Sequence, residues 1–250
     1  MGLALQPFVA AEDAFFVVVY KPHGWHTTHL NESRRSAGLV LLDWCAARYP
    51  EVLQPFGRKP CEGAVIHRLD YGTAGLVLFA RTMEAARFFF LEQENGRFIK
   101  EYLAGSAPVF IPPPQGFPPP PAVNVFDAPF VVESAFRPYG PRSSLVRPAL
   151  TEAEGGLSFY ALKKSSKKIY RTEILTVHAE KDALQFKLRL KRGFRHQIRC
   201  HLAWLGRPVL NDEKYAPTCS GGASGEPLSL NAVLLEFRHP KTELKTTVAL

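Results

Sequence analysis

Hydrophobic residues recur along this chain in three patterns. Uninterrupted apolar runs at residues 14–20 and 76–80 have the length and β-branched content of strands buried on both faces. Spacings of three and four place Val40, Leu41, Trp44, Cys45 and Arg48 at helical positions over residues 37–49, with Ser36 as the N-cap and Pro50 as the stop. The same spacing predicts a helix over residues 83–94, where Ala85, Phe88, Phe89 and Leu91 face the core, and Asn95-Gly96 then turns the chain into a strand over 97–104. Alternation of apolar and polar positions predicts a strand pair over 169–177 and 183–189 and a closing strand over 228–237. Residues 194–205 read as a helix capped by Gly206, with Arg195 and Arg199 sharing one face and Ile198, Leu202 and Leu205 forming the buried stripe.

Between these elements the punctuation is equally plain. Residues 1–13 read as an N-terminal arm, leaving no room for an accessory domain ahead of the first strand, and residues 14–250 as a single domain. Residues 108–121 are too rich in proline for a helix or an interior strand and predict a surface loop of polyproline II character, with a ligand for a proline-recognising partner as the alternative. A second loop, at 217–227, is rich in Gly and Ser. The basic residues of 137–149 are candidates to approach a phosphate backbone, and Lys163 to Lys168 predict a solvated hairpin tip first and an RNA contact second.

Composition narrows the class. At 250 residues and 46% hydrophobic, the chain is long enough for a large core. Its 31 Lys and Arg outnumber 23 Asp and Glu, giving +8 and a pI near 9.4, a balance that favours polyanionic partners through counterion release. Cys45, Cys61, Cys200 and Cys219 are widely separated and form no Cys-x-x-Cys pair, which points to a reduced, cytoplasmic compartment and to neither a disulfide framework nor a zinc knuckle. No apolar run reaches the roughly 18 residues of a membrane span, so a soluble protein is expected.

The candidate chemistry centres on His67-Arg68-Leu69-Asp70-Tyr71-Gly72-Thr73-Ala74-Gly75, an Asp in a Gly-bearing turn between a basic approach and an apolar strand. Taken alone, Asp70 beside Arg68 also fits a structural ion pair. The segment resembles the central motif of the RluA-type pseudouridine synthases: His-Arg-Leu-Asp, two free positions, Thr-Ser-Gly and an aliphatic run. Further blocks follow in the family's order: Tyr20-Lys21-Pro22-His23-Gly24, Lys100-Glu101-Tyr102-Leu103-Ala104, and Phe194-Arg195-His196-Gln197-Ile198-Arg199 continuing through Gly206-Arg207-Pro208 to Tyr215. Five positions depart from the pattern. Tyr20 replaces a common Asn, Ala74 a Ser, Phe194 an Arg and Asn211 a Gly, and Asn231 stands where the family often has His.

The resemblance implies an α+β fold, a mixed, mostly antiparallel central sheet with flanking helices, and isomerisation of a uridine in structured ribosomal or transfer RNA after base flipping. It implies Asp70 as the catalytic carboxylate, Arg199 as the cation that holds it ionised, and Tyr102 as an aromatic partner of the uracil. Arg68 is the candidate to fill the space left by the flipped base or to clamp the displaced strand, and Lys21, Arg195 and Lys214 are candidate phosphate contacts. The reaction needs no cofactor and no metal, and a monomer is expected. His67 is expected to pack or hydrogen-bond near the turn. A catalytically silent RNA-binding relative is the competing reading. A metal-dependent hydrolase recruiting Asp70, His67 and His201 is a third, separable by chelation.

Overall fold

The structure, a computed structural model, describes residues 6–29, 38–150, 165–166, 168–216 and 226–250. Strands β1 (Phe8–Glu12) and β2 (Phe16–Lys21) precede helix α1 (Leu41–Ala46), and β3 (Ala74–Ala80), α2 (Met83–Glu94) and β4 (Ile99–Ser106) follow. Then come β5 (Phe130–Tyr139), β6 (Leu145–Ala149), β7 (Tyr170–Ala179), β8 (Leu184–Leu190), α3 (Gln197–Trp204), β9 (Leu230–Arg238) and β10 (Lys245–Ala249). The mostly antiparallel pairing with few helices is the expected class. The chain divides into two compact units, residues 1–101 with 231–250 and residues 102–230, passing from one to the other within β4 and returning at the start of β9. Phe8–Glu12, within the expected arm, is a strand paired with β2.

In the first unit β1, β2 and β3 pair antiparallel in that order. The start of β3 pairs with β9 in parallel, Ala74 opposite Asn231 and Gly75 opposite Ala232, and β9 pairs antiparallel with β10. Every residue of β2 and β3 is buried, the apolar runs as their lack of polar interruption requires and Lys21 at the end of β2 with them. Rings lock the unit together: Phe237 on β9 lies edge-on to Phe16 at 5.1 Å and to Phe89 of α2 at 5.4 Å, and it stacks with Phe98 at 5.8 Å. Helix α2 occupies the expected residues, and the Thr82 hydroxyl caps it by accepting the Ala85 N–H at 3.1 Å.

Helix α1 is shorter than its pattern predicts. Val40 is extended, at φ −121° and ψ 124°, and forms a parallel bridge with His26, and the Leu41 and Leu42 N–H groups donate to the His26 and Thr27 carbonyls. A strand-like register with residues 26–27 thus delays the helix by one turn, and the proposed cap Ser36 lies outside the described residues.

In the second unit β8, β7, β5 and β6 are antiparallel neighbours. The basic stretch 137–149 forms the β5–β6 hairpin, with Arg137 opposite Arg147. Half of the expected tip at 163–168 lies outside the described residues, although Ser166 is held against β5 by bonds to Phe136. Helix α3 corrects the two-faced reading of 194–205: all eight of its residues are buried, and Arg195 precedes it because His196 adopts a left-handed φ of 55°. Gly206, at φ 70°, ends it as expected. The proline-rich segment is strapped to this end of the helix. Trp204 Nε1 donates to the Pro118 and Pro119 carbonyls at 3.1 and 2.9 Å, Arg207 Nη1 to the Pro108 carbonyl, and the Ile111 N–H to the Gly206 carbonyl.

Gly75 is the point on which the first unit closes. Its φ is 123°, and a Cβ there would lie 2.2 Å from the Ala232 carbonyl oxygen on β9, an atom that cannot move without breaking the parallel pair. Gly75→Ala is expected to lower unfolding free energy by about 3 kcal/mol or more, read from urea midpoints against wild type.

Candidate active site

The Asp70 turn is built by its backbone. The Leu69 carbonyl accepts from the Thr27 hydroxyl at 2.9 Å, and the Leu69 N–H donates back to the same oxygen at 3.1 Å. The Asp70 carbonyl accepts the Thr73 N–H at 3.0 Å, which closes the turn. The Tyr71 carbonyl accepts from the Gly24 N–H at 3.0 Å and from Lys21 Nζ at 3.3 Å, and the Gly72 carbonyl from His23 Nδ1 at 2.6 Å. The opening segment Lys21–Thr27 therefore clamps the loop that carries the carboxylate, and Asp70 itself stays half-buried at the end of that loop.

Lys21 is the central pin of the clamp. It is 0% exposed, and its ammonium donates to the carbonyls of Pro22 at 3.0 Å, Trp25 at 2.8 Å and Tyr71 at 3.3 Å. Burial lowers its pKa to about 7, while the negative charge of Asp70 pulls it back up. This corrects the expectation that Lys21 contacts phosphate, because a fully buried ammonium with three carbonyl partners is not offered to RNA. His67 packs its ring 5.5 Å from Phe98 and accepts the Leu78 N–H at 3.4 Å through Nε2, which leaves its proton on Nδ1. That buried Nδ1 has no hydrogen-bond partner, and burial together with the Lys100 charge keeps the ring neutral. Arg68 is exposed and donates to the buried Glu62 at 2.9 Å, so its ion-pair partner is Glu62.

The second unit carries the other two candidates. Tyr102 lies on β4 as expected and is 6% exposed. Arg199 is also 6% exposed, and it grips the buried Asp212 carboxylate in a fork, Nε to Oδ2 at 2.7 Å and Nη2 to Oδ1 at 2.6 Å. Asp212 Oδ1 further accepts the backbone N–H groups of Lys214 and Tyr215, and the guanidinium lies 5.6 Å from the centre of the Tyr215 ring. The plane of Arg199 is thus set from a rigid helix by a dedicated carboxylate. The same block is tied to β4: the Leu210 N–H donates to the Gly105 carbonyl, and Ser106 bridges Val209. One residue pair from the helix end, His201 is fully buried between the Ser134 hydroxyl at 3.0 Å and the Thr172 hydroxyl at 2.8 Å. Burial drives its pKa down to about 3, so it is a neutral structural group. Among the described residues no group of three or more His, Cys, Asp and Glu side chains is placed to hold a metal ion.

Residues 15–204 match the RNA pseudouridylate synthase family. The chain belongs to the RluA-like RNA pseudouridine synthases. A dual-specificity RNA pseudouridine synthase RluA from Pasteurella multocida is 30% identical over 238 residues, 92% of this chain and 86% of that protein. A ribosomal large subunit pseudouridine synthase D from the same organism is 24% identical over 94% of this chain and 64% of its own length. Some curated relatives are longer still, one of them spanned by this chain over 53% of its length. The solved structure of human RNA pseudouridylate synthase domain containing 4 shares the fold, with a TM-score of 0.64 at 17% identity over 97% of this chain and 87% of that one.

Within the family frame, each departure from the motif has a packing account. Tyr20 stacks on Phe8 at 4.9 Å, and Phe194 stacks on Phe136 at 4.9 Å and meets Tyr170. Ala74 is buried at the parallel bridge, and its opposite number Asn231 hydrogen-bonds the His23 ring. Asn211 sits at φ 63°, a left-handed conformation that Asn tolerates nearly as Gly does. Of the remaining candidates, Arg195 spends Nη2 on the Ser143 and Leu145 carbonyls and so braces the β5–β6 turn, and Lys214 is exposed. Residue-level reading missed Asp212, Thr27 and His23. The available signal was position: Asp212 stands inside a family block, His23 is the free position of the Lys21-Pro22-His23-Gly24 turn, and Thr27 follows that turn.

Two outcomes follow from these buried charges. Between about pH 7 and 10.5 the unfolded chain keeps a proton that folded Lys21 releases, so this group makes stability rise with pH across that window, by at most about 1.4 kcal/mol per pH unit. In Lys21→Met the rise should shrink to the share left by Lys100, whose buried ammonium is also lowered, to about 8, which urea midpoints at pH 7 and 9.5 will show. Arg199→Met strands the Asp212 carboxylate and is expected to remove about 3–5 kcal/mol of stability, most of it regained in Arg199→Met with Asp212→Leu. Equal instability of the single and double variants would remove the pair from the account.

Proposed function

We propose that this protein isomerises a specific uridine to pseudouridine in structured ribosomal or transfer RNA. The observation that carries the reading is the clamped turn that presents Asp70, within a chain of this family. The reaction breaks the bond between ribose C1′ and uracil N1, turns the base, and joins C1′ to C5. The N1 and C5 sites exchange a proton, and no atom is gained or lost overall. One carboxylate must act at the sugar, as a nucleophile at C1′ or as a charge stabiliser and proton shuttle while a glycal forms. Asp70 is assigned that role in either route.

Arg199 is assigned the cation that keeps the carboxylate ionised and oriented, and Tyr102 the ring that receives the uracil, both by carry-over from the family blocks. The fork to Asp212 supports the first assignment, since it fixes the guanidinium before any substrate arrives. The basic excess and the exposed Arg68, Arg195 and Lys214 suit a phosphate backbone, and relatives named for the ribosomal large subunit and for tRNA suit a folded target. The reducing compartment inferred from the cysteines is part of the same proposal.

The test is a transcriptome-wide pseudouridine map of the source organism lacking this protein, complemented with wild type or with Asp70→Asn. One or a few uridines should lose modification and regain it with wild type alone, while Asp70→Asn binds the target RNA within a few-fold of normal. Restoration by Asp70→Asn would remove that carboxylate from the chemistry. An unchanged map from a protein that co-purifies with RNA would favour the silent binding relative.

A further inference from the structure

Tyr71 follows Asp70 directly and occupies one of the two free positions of the motif, so nothing about the shared chemistry dictates it. Its backbone is among the most constrained in the first unit, its carbonyl taken by both Lys21 Nζ and the Gly24 N–H. Its side chain is nevertheless 56% exposed. The ring rests on His26, with centroids 4.8 Å apart and planes tilted by 44°, and its hydroxyl lies over Gly24, where a Cβ would stand 3.7 Å away. The His26 imidazole is held neutral by partial burial and by the Lys21 and His29 charges, so the two rings form an aromatic ledge and no cationic one. A large aromatic side chain fixed in place yet left in water, one residue from a reactive carboxylate, has the form of a stacking surface for a planar ligand.

We propose that Tyr71, supported by His26, is a stacking platform for the nucleobase adjacent to the target uridine. The inference rests on the proposed function, because extruding the uridine leaves a neighbouring base unstacked, and that base requires a new partner. A rigid tyrosine supplies one at low entropic cost, since its backbone is already fixed and only the ring's two torsions remain to be ordered. The selectivity of such a platform is for a flat base rather than for a pattern of hydrogen bonds, with purines favoured by their larger faces. Tyr71 positions the substrate and takes no part in the isomerisation itself.

The probe is an RNA hairpin with one loop uridine and 2-aminopurine beside it, titrated into the full chain and read by 2-aminopurine fluorescence and by affinity. Wild type and Tyr71→Phe should bind alike and shift the fluorescence of the stacked base. Tyr71→Ala should lose that shift and bind about 5- to 150-fold more weakly, as expected for one lost base–aromatic contact, with an unchanged thermal midpoint because the ring is exposed. On the uridine identified by the map, the same variant should raise KM with kcat nearly unchanged, whereas Asp70→Asn should bind the probe normally and lose turnover. Undiminished affinity and an unaltered fluorescence shift in Tyr71→Ala would overturn the platform while leaving the enzyme reading intact. A wild-type chain that bound no RNA hairpin and whose absence left the pseudouridine map unchanged would overturn both.

Discussion

Four successive carbonyls, those of Leu69, Asp70, Tyr71 and Gly72, each accept a hydrogen bond, and all but that of Asp70 receive it from the stretch Lys21–Thr27. The rest of the first unit depends on this constraint. A loop that leaves its carbonyls to water can sample many conformations, whereas one whose acceptors are all engaged by protein has a single low-energy shape. β2 ends at Lys21, where the clamp begins, and β3 begins at Ala74, where the clamped loop ends, and the two strands pair along their length. The sheet register thus delivers clamp and loop to each other, and the clamp in turn fixes where Asp70 stands.

Both units contain a buried cation, and the two use it differently. Lys21 faces neutral carbonyl dipoles, which offset only part of its desolvation, and the residual penalty is what brings its pKa down to about 7. Arg199 faces a full carboxylate in fork geometry, an arrangement in which charge and hydrogen-bond direction are matched on both sides. Neither arrangement is the most stable way to fill its space, since apolar side chains of like volume avoid desolvation altogether. What each supplies is a fixed position: the ammonium gathers three carbonyls around one point, and the fork sets the plane of a guanidinium on a helix that is buried on all sides.

Local pattern carried far into this fold, and it stopped where partners are distant in sequence. Helix α2 was legible because its period and the Asn95-Gly96 turn lie within one window, although Leu91, expected to face the core, is exposed. The buried runs of β2 and β3 were legible for the same reason. The start of α1 was not, because Val40 is held extended by His26, fourteen residues away in the chain. Lys21 reads as an ordinary surface lysine until the Tyr71 carbonyl, fifty residues on, is brought to it. Arg199 was legible as a functional cation only through the family's wording, and its partner Asp212 is invisible to helical spacing because it lies in the turn after the helix.

The departures from the family motif bear on whether the site has decayed. Loss of function relaxes selection on shape as well as on chemistry, and relaxed positions collect residues that fit poorly. Here the substituted residues fit. Asn211 keeps the left-handed backbone that Gly would supply, Phe194 replaces a charge with a ring stacked parallel on Phe136, and Tyr20 stacks on Phe8 across the β1–β2 pair. Asn231, in place of His, still meets His23, the residue whose other bond holds the Gly72 carbonyl of the Asp70 turn. Each change is thus absorbed by its own surroundings, and the ones nearest the turn preserve the bonds that hold it. That pattern is the one expected of a site whose geometry is still required.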